Sequence, residues 1–235
     1  MNLEQVMQEL EVLGKERTKK IYITNGAHEP LFGVATGAMK PIVKKIKIDQ
    51  QLADELYATG NYDAMYFAGI IADPNGMTEL DYDRWMDSAY FYMLSDYVVA
   101  VTLSEADIAQ EVADKWIASG KELRMSAGWS CYCWLLGNRK DVEFSETKIS
   151  NMLDMVKNNI HESPERAKSA MNNFVHSVGI SYLPLHEKAV ETAKTIGIVE
   201  MKRDNKKSSF LNAFESIQKG IDGGRIGFKR KYVRC

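Results

Sequence analysis

The residues best placed to do chemistry are an acid and an aromatic four positions apart, Asp96 and Tyr92, inside the apolar stretch from Tyr90 to Val101. An unpaired charge taken out of water costs several kcal/mol, so an acid in such company is hydrogen-bonded, ion-paired, or turned towards a cleft where it acts on a ligand. On a helix, a spacing of four puts both side chains on one face. The residues alone leave both a structural and a functional acid open.

Other constellations carry less. The run Ser126 to Trp134 gathers hydroxyls, aromatics, Cys131 and Cys133, but its spacing is that of a helix facing core on several sides, and free cysteine is among the most buried residue types. His161, His176 and His186 fall on separate predicted helices with no local acid or base pattern. Gly33-x-x-x-Gly37 lacks the Lys-Ser/Thr that a phosphate loop needs. No His completes a metal-ligand spacing with Cys131-x-Cys133, so no metal and no cofactor are expected.

The elements that must position Asp96 are helices. Apolar periodicity predicts a first helix over 3–14, then helices near 38–47, 50–59, 62–72, 79–88, 90–102, 105–119, 121–136, 146–161, 164–178, 185–196 and 208–219. Thr78, Ser104, Ser145 and Ser163 stand as N-cap signals at four of the starts. Short antiparallel helices joined by short loops are the signature of an all-α solenoid. Lys19 to Pro30, with its β-branched residues, Asn25-Gly26 and a proline, reads as non-helical, inside an irregular segment over 18–36. The expected organisation is one array over 1–200 and a basic extension with one helix over 201–235, in which Gly223-Gly224 would let Lys229, Arg230 and Lys231 swing to grip phosphates.

Three cysteines are too few for a disulfide framework, and the N-terminus lacks the pattern of a secretory signal. No apolar run approaches the roughly 20 residues of a membrane span. The expectation is a soluble, cytoplasmic monomer without a membrane partner. Net charge is −2 overall but segregated: +2 for residues 1–50, −11 for 51–120 and +7 for 121–235. The acidic middle would repel duplex DNA unless its acids face away.

Four anchors then carry a family resemblance. They are Leu31-Phe32-Gly33-Val34 with Met39-Lys40-Pro41-Ile42; Glu55-Leu56-Tyr57 with Asp63 to Ala68; Tyr92-Met93-Leu94-Ser95-Asp96; and Lys115-Trp116-Ile117-Ala118-Ser119. Over about residues 31–198 the chain resembles the DNA alkylation repair family of HEAT-like repeat proteins, the AlkD-like alkylpurine glycosylases. That resemblance implies a superhelix of helix pairs with a concave DNA face, and release of purines alkylated at N3 or N7. A carboxylate near the sugar stabilises the oxocarbenium-like cation, aromatic faces add cation–π contacts, and no metal takes part. Asp96 stands at the position of the family's catalytic acid, with Tyr92 where active relatives place a Trp.

The departures matter as much. By the Lys-Trp-Ile-Ala-Ser register the family's DNA-contacting Arg falls on Ser126, with Arg124 nearby but about 200° away around a helix, and the second aromatic of the cleft falls on Asn173. The non-helical reading of 19–30 removes the second helix that active relatives have before the apolar-Gly-apolar turn. The sequence therefore points to a HEAT-like scaffold with lost or much reduced glycosylase activity that binds unusual DNA or a protein partner. The alternative is an active alkylpurine glycosylase using Asp96 and Tyr92. Trp116, Arg124, Lys229, Arg230 and Lys231 are the candidate DNA contacts.

Overall fold

The computed structural model describes residues 1–203 and 206–234, which fall into two compact units, Met1–Asp107 with Arg234, and Ile108–Val233. Unit 1 holds α1 (Leu3–Leu13), α2 (Glu16–Thr24), α3 (Lys40–Ile46), α4 (Gln50–Ala58), α5 (Tyr62–Ile71) and α6 (Glu79–Ser88). It closes with a segment that is α-helical at Tyr92–Leu94 (α7), forms a π-turn at Ser95–Val99, and is α-helical again at Ala100–Ser104 (α8). An Asn2–Gln5 capping box starts α1, and Val6 and Leu10 bury its apolar stripe against α4 and α5. Tyr57 stacks on Trp85 at 4.2 Å, and the Trp85 indole donates to Asp54 at 2.9 Å. Arg234 donates to the carbonyls of Gly69 and Ala72 at the end of α5 and pairs with Glu105 at 2.6 Å, satisfying acceptors that the helix leaves open.

The expectation of a non-helical 19–30 is corrected over its first half. Residues 16–24 form α2, although none of its residues is buried. Tertiary bonds override the weak local propensity of Ile21, Ile23 and Thr24: Lys15 N–H donates to the Gly33 carbonyl at 3.0 Å, and the Tyr22 hydroxyl donates to Val34 at 2.8 Å. Both helices before the apolar-Gly-apolar turn are thus present, and the expected absence of the second is corrected. Thr78 and Ser145 do cap helices. Ser104 instead donates to Val101 at 2.7 Å, and the next helix begins only at Ala109.

Unit 2 comprises α9 (Ala109–Ala118), α10 (Glu122–Asn138), α11 (Glu146–Asn159), α12 (Glu165–Ser181) and α13 (His186–Ile196), followed by β1 (Val199–Arg203), β2 (Lys206–Leu211) and α14 (Ala213–Asp222). The antiparallel partners α9 and α10 pack so closely that a Cβ on Gly128 would lie 2.7 Å from the Ala113 carbonyl. In turn α12 packs on α10, α13, α14 and β1, with Trp129, Tyr132 and Phe174 at its core. The expected helix over 208–219 is corrected to a strand followed by a helix that starts at Ala213. In register, Val199 faces Leu211 and Met201 faces Ser209; Val199 and Met201 are buried while Glu200 between them is exposed, the period of two that defines a strand.

The C-terminal segment does not swing on Gly223-Gly224. Gly227 N–H donates to Ile180 and Arg230 N–H to Gly137, at 2.7 and 2.6 Å, capping the last turns of α12 and α10.

Candidate nucleic-acid interface

In unit 1 the acid that stood out in the sequence sits in the one π-turn of the described residues. Asp96 is 4% exposed, and its Oδ1 accepts a hydrogen bond from the Ser95 hydroxyl at 2.8 Å. A π-turn shifts the helical register by one residue. Tyr97, five positions on from Tyr92, therefore meets its ring edge-on at 6.4 Å. Upstream, Tyr92 meets Phe91 at 5.8 Å, Phe91 stacks with Tyr90 at 5.0 Å, and Tyr90 stacks on the exposed His28 at 3.7 Å. A row of rings thus leads from the surface to the segment that carries the acid. Burial holds the Tyr90 phenol above its usual range, so it stays a neutral donor, aimed at the His28 carbonyl.

Behind that row lies a buried acid that the sequence marked only as part of the second anchor. Asp63, with no exposed surface, accepts the backbone N–H groups of Phe32, Gly33 and Val34 at 2.6, 2.9 and 2.8 Å. Gly33 has φ +80°, and a Cβ there would lie 2.5 Å from the Lys19 nitrogen, so only glycine lets the turn approach α2. Burial pushes the Asp63 carboxyl up while the three N–H donors pull it down, and burial prevails. Two of the four sequence anchors are halves of one device: an acid on α5 that folds the turn and seats α2.

Unit 2 distributes the remaining sequence candidates unevenly. Trp116, expected at the DNA face, is 2% exposed and belongs to the core. Ser126 has no exposed surface and donates to the Arg166 carbonyl at 3.4 Å. Arg124 is half-buried on α10, and Asn173 is exposed on α12. Lys168 is committed to Glu165 at 2.8 Å, which also accepts the Lys202 N–H. In the C-terminal segment Lys229 pairs with Asp141 at 2.7 Å, the Arg230 guanidinium lies 4.7 Å over the Trp134 ring, and Lys231 lies over Tyr232 with both exposed.

The basic feature that sequence reasoning missed is the β1–β2 ribbon, where Lys202, Arg203 and Lys207 are exposed and Phe210 is 68% exposed. Its available signal was the Val199-x-Met201 alternation. Among the described residues no cluster of metal-ligating side chains occurs, and no helix is long and apolar enough to cross a membrane.

Comparison with known proteins places this geometry. The family model described as DNA alkylation repair enzyme matches residues 6–216. The chain belongs to that family. A solved structure described as a new family of proteins related to the HEAT-like repeat DNA glycosylases with affinity for branched DNA structures is 80% identical, superposes with a TM-score of 0.98, and covers 100% of both chains. The fold is accordingly an all-α HEAT-like repeat array with a two-stranded ribbon added. Among curated relatives, the uncharacterized proteins Lin0241 of Listeria innocua and Lmo0209 of Listeria monocytogenes are each 28% identical over 225 residues, 93% of this chain and 97% of theirs.

Proposed function

We propose that this member of the DNA alkylation repair family binds branched DNA and has lost most or all of the base-excising activity of its glycosylase relatives. The observation that carries the reading is the exposed basic β1–β2 ribbon: Lys202, Arg203 and Lys207 stand on a two-stranded element of the width that a major groove admits. The 80% identical protein described as having affinity for branched DNA supports it. Phosphate contacts supply affinity without sequence readout, and a branch point offers what a plain duplex lacks: unstacked bases and phosphates from several strands at once. The row from His28 through Tyr90 suits such bases. Loss of excision rests on Ser126, buried where active relatives place an Arg, which leaves no cation at that position to hold a lesion's backbone.

A second reading, residual alkylpurine excision, is favoured by Asp96 alone, kept buried and oriented by Ser95. One experiment separates the two. The protein is incubated with methylated duplex and with a methylated four-way junction, and release of N3- and N7-methylpurines is measured beside binding. Junction binding without base release is the expected result. Release that disappears in Asp96→Asn would establish the enzyme instead.

A further inference from the structure

Unit 2 encloses a cavity of about 300 Å³ where the ends of α10, α12 and α14 meet the C-terminal segment. Its mouth carries three exposed cations, Lys219, Arg225 and Arg230, and its wall carries His176 and the hydroxyls of Ser177 and Ser181. No carboxylate of the described residues lines it. Among those residues none of the three cations has a carboxylate partner, whereas neighbouring Lys229 is paired with Asp141.

Cations near helix C-termini are ordinarily read as caps for the dipole. Here that work is done by other donors. The carbonyls of Leu136, Gly137 and Ile180 accept from Lys229 Nζ, Arg230 N–H and Gly227 N–H at 2.7, 2.6 and 2.7 Å. The partial negative charges of those helix ends are therefore largely satisfied, and three whole positive charges remain. His176 responds to that field: burial, and then the Arg230 charge, hold its imidazole below the usual range. A neutral imidazole offers one N–H donor, and each serine hydroxyl offers another.

We propose that this cavity binds a phosphoryl group. Two guanidinium forks, an ammonium, an imidazole N–H and two hydroxyls supply more donors, in more directions, than the two oxygens of a carboxylate can use, and they match the several oxygens of a phosphate. The volume exceeds that of a bare anion and lies at the small end of ligand pockets. Phe228, 54% exposed at the mouth, and Ile180 provide apolar surface for the group esterified to the phosphate. The phosphoryl group can come from a free mononucleotide-sized ester or from a nucleic-acid strand, and the chemistry of recognition is the same.

The test uses the full chain, and the titrations that decide the proposal do not involve branched DNA. Inorganic phosphate, adenosine 5′-monophosphate and adenosine are each titrated at constant ionic strength, with chloride as the control. The readouts are tryptophan fluorescence, because Arg230 lies over Trp134, and thermal stabilisation. Saturable binding of phosphate and of the monophosphate but not of adenosine is expected, weakened at least tenfold in Lys219→Gln/Arg225→Gln and unchanged in Lys157→Gln. All three substituted side chains are exposed, so folding is not at stake. Tenfold tighter binding of the monophosphate than of inorganic phosphate identifies a free ester as the ligand. Equal affinities, with phosphate displacing junction DNA, identify a strand phosphate. Absence of saturation, a matching response to chloride, or unchanged affinity in the double variant overturns the proposal and leaves the branched-DNA reading standing.

Discussion

On the proposed reading, the two units divide chemistry from grip. Unit 1 carries 10 basic and 17 acidic residues, a net charge of −7, and holds the acid in the π-turn and the row of aromatic rings. Unit 2 carries 20 basic and 15 acidic residues, a net charge of +5, and holds the basic ribbon and the cationic cavity. A HEAT-like array is assembled from local helix pairs, so its parts can diverge separately. The contrast puts the buried, hydrogen-bonded acid in the acidic unit and the exposed cations in the basic one; on the reading proposed above, the acid is kept for its structural fit while nucleic acid meets the basic unit.

The largest way to break this comparison is to remove the device that builds unit 1. Asp63→Ala leaves three backbone N–H groups without their acceptor, two of them in buried bonds, and should lower stability by about 3–5 kcal/mol. Urea unfolding followed by circular dichroism measures it. Gly33→Ala meets both the positive φ and the Lys19 backbone and should cost about 1–3 kcal/mol in the same assay. Losses well below 1 kcal/mol in both would mean that the turn is not what seats α2.

In unit 2, Lys202→Gln/Arg203→Gln/Lys207→Gln should weaken junction binding at least tenfold near physiological salt. It should also reduce the slope of log affinity against log salt by roughly 3, about one for each phosphate no longer neutralised. A gel-shift series across salt concentrations reads both. A smaller effect is expected from pH. The His176 imidazole is held below its usual 6.5 in the folded protein, so between the folded and unfolded values the unfolded chain binds more protons. Its contribution to stability is complete above pH 6.5 and is lost as pH falls through the folded value. His176→Gln should flatten that acid-side decline in thermal unfolding. The smallest effect is expected from Asp96→Asn, which should leave junction affinity within about twofold of the parent, since Asp96 is buried, accepts from Ser95 and lies outside the basic ribbon.

How far the sequence reached differs between the units for physical reasons. Asp96 was legible because a lone acid among apolar residues is conspicuous, and the helical period revealed most of the array. The π-turn was not, because inserting one residue into a helical ladder leaves the local composition unchanged. Residues 19–24 were misread because their propensity is overridden by bonds beyond the segment itself, from the Lys15 N–H to Gly33 and from the Tyr22 hydroxyl to Val34. The acid on α5 was noticed only as part of a family pattern, since nothing local says that three N–H groups converge on it. Residues 208–211, the end of β2, were taken for the start of a helix because the strand is only six residues long. The cavity was beyond reach: Cys133, His176, Lys219 and Arg230 meet across nearly a hundred residues of chain.

The most direct test of the division between chemistry and grip is the ratio of affinities for a four-way junction and for a duplex of equal length and composition, measured by fluorescence anisotropy at one physiological salt concentration. Tighter binding to the junction by at least tenfold is expected, carried by the ribbon and retained in Asp96→Asn. Equal affinity for the two, or a preference that vanishes in Asp96→Asn, would contradict it.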